Sequence, residues 1–231
     1  MTDAVERAYV LIRSNIISGY FKSGRHLTSE ELAGMVGVSR TPIREALRRL
    51  HSEGLISFRP NYGAYVTGWT LPDLDEVFGL RAVLESYAAE LAARTLQPEQ
   101  INELQRRARE THDLAVRKPE GFREAIAIAN NRLHAIVIGA AACPRLSTMI
   151  SGVMEMPLVM RTLWFYSHDD LLRSAGHHAE LVLAFRAKDP QWAASIMRGH
   201  LLAALHVMRK AMASPERSLE TRQELNLLRA V

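Results

Sequence analysis

Two groups of side chains in this sequence have the types and spacing to do chemistry. Arg40, Arg44 and Arg48 recur at i, i+4 and i+8. On a helix they form one row of guanidinium groups, the arrangement that base edges and phosphates in a DNA major groove require. The second group is imidazole. Of nine histidines, His134, His178 and His200 fall inside long helix-patterned segments at widely separated sites. Each group also has a plainer reading. Arginines on a helix face are usually solvated, with Glu45–Arg49 as an i, i+4 ion pair, and a single helical histidine is more often a hydrogen-bonded residue than a ligand. The choice depends on the elements that hold them.

Around the arginines, Val5, Ala8, Tyr9, Leu11, Ile12, Ile16 and Ile17 follow a helical period, predicting a helix over 4–18. Thr28-Ser29-Glu30-Glu31 reads as a capping box opening a short second helix that Gly37 stops. Ser39 then caps a third helix running to about Ser52, with Pro42 tolerated in its first turn and Ile43, Ala46, Leu47 and Leu50 facing inward. Two such helices across a tight turn make a helix-turn-helix. Gly54–Arg59 and Ala64–Thr67 read as strands around the turn Pro60-Asn61-Tyr62-Gly63, which adds a β-hairpin wing. Residues 1–68 carry nine Lys/Arg against six Asp/Glu, so most of the chain's net charge of +4 lies here. A hairpin after a basic helix-turn-helix turns the solvated-surface reading into one of double-stranded DNA binding.

Residues 69–73 read as a linker, and 74–213 as all-helical, with breaks near 97–98, 118–119, 143–144, 167–168 and 189–190. That predicts six helices of roughly 18–24 residues in an antiparallel bundle. The segment 214–231 is a tail. The fold class is therefore mainly α: a winged helix-turn-helix over 1–68 followed by a helical bundle. The single cysteine, Cys143, sits among small apolar residues and reads as a buried, inert thiol. The start of the chain has no apolar signal region, and no apolar run reaches the length of a membrane span, so a cytoplasmic protein is expected. There is no HExxH, no evident general base beside the histidines and no Gly-rich phosphate loop, which argues against an enzyme.

The string LTSEELAGMVGVSRTPIREALRRLHSEGLISFRPNYGAYV resembles the winged-helix domain of the GntR family of bacterial transcription factors. The resemblance implies that Arg40, Thr41 and Arg44 contact bases or phosphates, with Arg48 on the same face, and that Gly63 sits at the wing tip. Where the family's FadR branch has an arginine near the start of the second helix, Glu30 stands here, so that contact is not carried over. His178-x10-Asp189-x10-His200, Asn130-x3-His134 and Arg81-x3-Glu85 are similar to the FCD ligand domain of this family, over about 72–205. Many FCD domains bind a divalent metal through one aspartate and three histidines. The resemblance places His134, His178 and His200 on the imidazole positions and Asn130 on that of the aspartate. Asn130 and His134, at i and i+4, share a helix face. Three imidazoles can hold zinc with open positions, and nickel is the other candidate. A small carboxylate effector could then chelate the metal and pair with Arg81 or Arg161; the alternative for both is a salt bridge, for Arg81 with Glu85. Two other readings remain open: a metal-free effector pocket, and a regulator that responds to the metal itself. A single winged helix covers too few base pairs for operator specificity, so a homodimer is expected. The sum is a repressor controlled by a small organic acid.

Overall fold

The amphipathic period over the first residues produces α1 (Asp3–Ile17), whose Val5, Ala8, Tyr9, Ile12, Ile16 and Ile17 are buried. In this computed structural model, residues 3–68, 70–154 and 156–213 are described, without the side chains of 156, 157, 160 and 161. The tail expected over 214–231 lies outside the described residues. The chain divides into two compact units, one that includes residues 3–70 and one comprising Leu71–Met154 and Thr162–Lys210.

In the first unit, β1 (His26–Leu27) leads into α2 (Ser29–Val36) and α3 (Arg40–Ser52). The Thr28 hydroxyl accepts the Glu31 N–H at 3.2 Å, but the Glu31 carboxylate pairs with Arg25, so only half of the expected capping box forms. Gly37, at φ 73°, closes α2 with its N–H on the Ala33 carbonyl, a conformation in which any Cβ is strained. β2 (Ile56–Arg59) and β3 (Gly63–Val66) form the wing. The sheet order is β1-β3-β2, all antiparallel, with Arg59 opposite Gly63 and His26 opposite Tyr65. Leu27, Ile56, Ala64 and Val66 are buried. β1 has no counterpart in the sequence expectations, because two residues are too few to show alternation.

The second unit comprises α4 (Leu71–Thr95), α5 (Pro98–Arg117), α6 (Phe122–Ala140), α7 (Pro144–Val153), the end of α8 (Met156–Phe165), α9 (His168–Arg186) and most of α10 (Pro190–Ala213). Its core gathers Leu104, Leu133, Val137, Leu181, Phe185 and Met197 from four helices, with Ala89 and Ala92 from α4. Each such side chain contributes roughly 1.5–3 kcal/mol through burial. α4 begins at Leu71, so the segment expected as a linker, 69–73, runs into the helix; Pro72 sits in the first turn, where no intrahelical donor is lost.

The expectation of six long helices needs correction. The stretch after Pro144 is two helices of ten residues each, separated where Met154 turns extended at φ −77° and ψ 113°. Pro157 is the cause: a helix interior has no place for it, but the start of a new helix does. Cys143 is also corrected. It is the N-cap of α7 and only half-buried, not a core thiol. Among the described residues, no helix is long and apolar enough to cross a membrane.

Candidate functional site

α3 sorts its residues by side. Ile43, Ala46, Leu47 and Leu50 are buried, and Arg40, Thr41, Arg44 and Arg48 are exposed. Among the described residues, Arg44 and Arg48 have no carboxylate partner. Arg40 pairs with Glu30 at 3.3 Å, with both side chains more than half exposed; such a pair is worth at most about 1 kcal/mol and yields easily to a phosphate. The expected Glu45–Arg49 pair does not form. Arg49 instead reaches Glu6 at 3.0 Å and Glu53 at 3.4 Å, and its guanidinium lies 3.5 Å over the Tyr9 ring. Arg49 therefore ties α3 to α1, because α1 passes on its side of the helix.

Between α3 and the wing lies a cleft of about 460 Å³, lined among others by His26, Ser29, Arg44, Arg48, Phe58 and Gly63. Gly63 is the first residue of β3 rather than the extreme tip, which is Asn61 and the 70% exposed Tyr62. Its φ is +93°, and a Cβ there would stand 2.8 Å from His26 Nε2. The positive φ favours glycine here, while the His26 ring could shift to admit a Cβ. His26 stacks on Tyr65, and Arg59 covers the same ring. None of these three stands out in the sequence as a site residue, since their meeting depends on strand pairing across the chain.

The second site lies inside the helical unit. His134 comes from α6, His178 from α9 and His200 from α10, all buried. Each offers a ring nitrogen within 4.8 Å of the others, and the ring centroids are 4.7–5.8 Å apart. Asn130, also buried, stands one turn before His134. Burial pushes the His178 imidazole down to about 3, with His134 and His177 adding to the effect. Burial, reinforced by the same neighbours and His178, holds His200 well below its ordinary range. Both are therefore neutral at pH 7, the form with a lone pair to give a metal. Among the described residues, His134 Nε2, both nitrogens of His178 and His200 Nδ1 are buried without a hydrogen-bond partner. An unsatisfied buried polar atom costs about 1–3 kcal/mol, so four in one place call for a ligand. The donor set and these orphaned atoms fit a zinc-type ion.

The arginines expected to bind an effector separate. Arg81 is 4% exposed and donates from Nε to Glu85 Oε1 at 2.7 Å, so the ion-pair alternative is what forms. Glu85 is fully buried. Burial would raise its carboxyl, but Arg81 and His134 outweigh this and hold it at about 2. Arg161 lies in α8, and its side chain is outside the described residues. His177, half-buried with its ring 5.8 Å from that of His200, is a fourth imidazole beside the triad that the spacing alone did not reveal.

Comparison with known proteins adds the following. The family model described as bacterial regulatory proteins, gntR family, matches residues 4–66, and the FCD domain model matches 76–203, more than half of the chain. An uncharacterized HTH-type transcriptional regulator, YdhC of Bacillus subtilis, is 29% identical over 76% of this chain and 74% of its own. The gluconate operon transcriptional repressor of Bacillus licheniformis is 28% identical over 77% and 74%. The solved structure of McbR/YncC from E. coli superposes with a TM-score of 0.63 at 23% identity, covering 92% of this chain and all of that one.

Proposed function

The chain belongs to the gntR family of bacterial regulatory proteins and carries that family's FCD domain, and from this premise we propose that it is a repressor released from its operator by a small carboxylate bound at a metal. It is a DNA-binding transcriptional regulator and not an enzyme. In the first unit Arg40, Thr41, Arg44 and Arg48 enter the major groove from α3, while the wing around Gly63 lies along the adjoining backbone. Such a protein works in the cytoplasm, where its DNA is.

The observation that carries the proposal for the second unit is the set of buried ring nitrogens of His134, His178 and His200 with no partner. These three, with Asn130 beside them, would hold zinc, or nickel in its place. The bound ion would act as a Lewis acid that takes a carboxylate oxygen. The charge count favours an anion. The His178 and His200 imidazoles and the Asn130 amide are neutral, and the Glu85 carboxylate is already balanced by Arg81. An incoming carboxylate therefore supplies the missing negative charge. Since Arg81 is engaged through Nε, its role toward the effector is carried by the far side of the guanidinium.

The second copy of a homodimer fits α4, where Leu80, Val83 and Tyr87 form a stripe at i, i+3 and i+7 that is about half exposed. Two copies supply the two-fold pair of winged helices that a palindromic site needs. Val83→Arg should give monomers in sedimentation at micromolar concentration; an unchanged dimer would remove this face.

Thermal unfolding tests the effector reading. The transition should rise with zinc, rise further with one of a panel of small carboxylates that includes gluconate, and lose both responses in EDTA. A response to zinc but to no acid would favour a metal-responsive regulator. A response to an acid that survives EDTA would favour a metal-free pocket.

A further inference from the structure

We propose that Glu85, held in place by Arg81, is the positioning residue of the histidine cluster: it fixes His134 as the Nδ1–H tautomer and aims Nε2 at the ion. The inference rests on the metal reading and adds to it a residue that is not a ligand. Glu85 Oε2 lies 2.6 Å from His134 Nδ1. An ionised carboxylate only accepts, so a hydrogen is on Nδ1, and a ring that serves as a metal ligand then offers its lone pair from Nε2. That nitrogen is buried and has no partner among the described residues. The other carboxylate oxygen, Oε1, takes the Arg81 Nε–H at 2.7 Å. With both oxygens engaged, the carboxylate plane is set, and with it the tilt of the imidazole.

A plain buried ion pair between Arg81 and Glu85 would leave this unexplained. The two residues are one turn apart on α4 and satisfy each other there. Nothing in that pairing requires a histidine on α6 at hydrogen-bond distance with its second nitrogen left bare. An arrangement of carboxylate, imidazole and open nitrogen is what an outer-shell orienter provides: it sets the tautomer, the ring angle and the basicity of the ligand. His178 has no such support, since both its nitrogens lack partners. His134 is therefore the ligand whose orientation is preset.

The test compares zinc affinity by competition with a chromophoric chelator in the full-length wild type, in Glu85→Gln and in Arg81→Met/Glu85→Leu. The double variant replaces the ion pair by apolar groups and so avoids stranding a buried charge. Metal-free unfolding of each protein is followed alongside. The proposal expects zinc binding to weaken about 10–100-fold in both variants, with the metal-free double variant as stable as the wild type. Wild-type affinity in both variants would overturn it while leaving the metal reading intact. A wild type that does not bind zinc would overturn both. Should the variants not fold, 15N spectra of the metal-free wild type decide: a proton on His134 Nδ1 supports the assignment, and one on Nε2 overturns it.

Discussion

Arg44 and Arg81 are the same side chain under opposite conditions. Arg44 stands exposed on α3 with no carboxylate partner among the described residues; Arg81 is buried on α4 and locked to Glu85. In water a guanidinium can wait for a partner from another molecule at little cost. In the interior it must be paired within the chain, because an unpaired buried charge costs several kcal/mol. The DNA-reading unit thus keeps its chemistry outside and its packing inside. The helical unit does the reverse, with Glu85, Asn130 and three histidines in its core. The first arrangement leaves its cations open to a large polyanion; the second leaves buried ring nitrogens without a partner among the described residues.

The sharpest way to break this contrast is to remove the buried partner. Glu85→Ala should destabilise the metal-free protein by about 3–5 kcal/mol in urea unfolding, since Arg81 is left uncompensated. A loss below about 1 kcal/mol would mean that the pair is effectively solvated. Next comes the ion. Zinc at a hundred times its Kd should add about 2.7 kcal/mol of stability to the wild type. His178→Ala should gain none, as read by the zinc-dependent shift in the unfolding midpoint.

Acid should act on the helical unit before it acts on the other. His178 falls from an ordinary 6.5 to about 3 on folding. Because the unfolded chain binds the proton more readily, its contribution is complete above pH 6.5 and is lost as the pH falls toward 3. Between pH 6.5 and 5 that is roughly 2 kcal/mol for the metal-free protein. Glu85, lowered from 4.5 to about 2, adds a loss in the same direction only below its unfolded value. Urea midpoints that stay flat from pH 7 to 5 would contradict the buried neutral imidazoles.

On the outer side, Arg44→Ala should weaken operator binding by roughly 1–3 kcal/mol and relax the choice of one base pair. Its effect on stability should stay within about 0.5 kcal/mol. Arg49→Ala should do the opposite, loosening α1 from α3 without a change in base preference. Measured together, the two variants separate reading from scaffolding on a single helix.

What the sequence made legible follows from the range of each interaction. The helices of the first unit follow apolar spacing over a few residues, and Thr28 and Gly37 act on their own neighbours. The arginine row is likewise local. By contrast, Arg49 meets Glu6 across 43 positions and His134 meets Glu85 across 49. No periodicity encodes such pairings: spacing alone pairs Arg49 with Glu45 and Glu85 with Arg81. The split between α7 and α8 is not legible because an apolar pattern running through Met154 and Pro157 hides a break that proline chemistry requires. The triad is legible through a family resemblance in spacing, and only the packed bundle reveals that four of its six ring nitrogens lack partners among the described residues.

The most direct test of the account is an anisotropy titration of operator DNA, selected from a random double-stranded pool, with zinc-loaded, EDTA-treated and His178→Ala protein in the presence of the carboxylate panel. The account predicts that one acid weakens DNA binding by at least about fivefold, a coupling of about 1 kcal/mol or more, and only in the zinc-loaded wild type. An acid that acts equally on the EDTA-treated protein and on His178→Ala would contradict it.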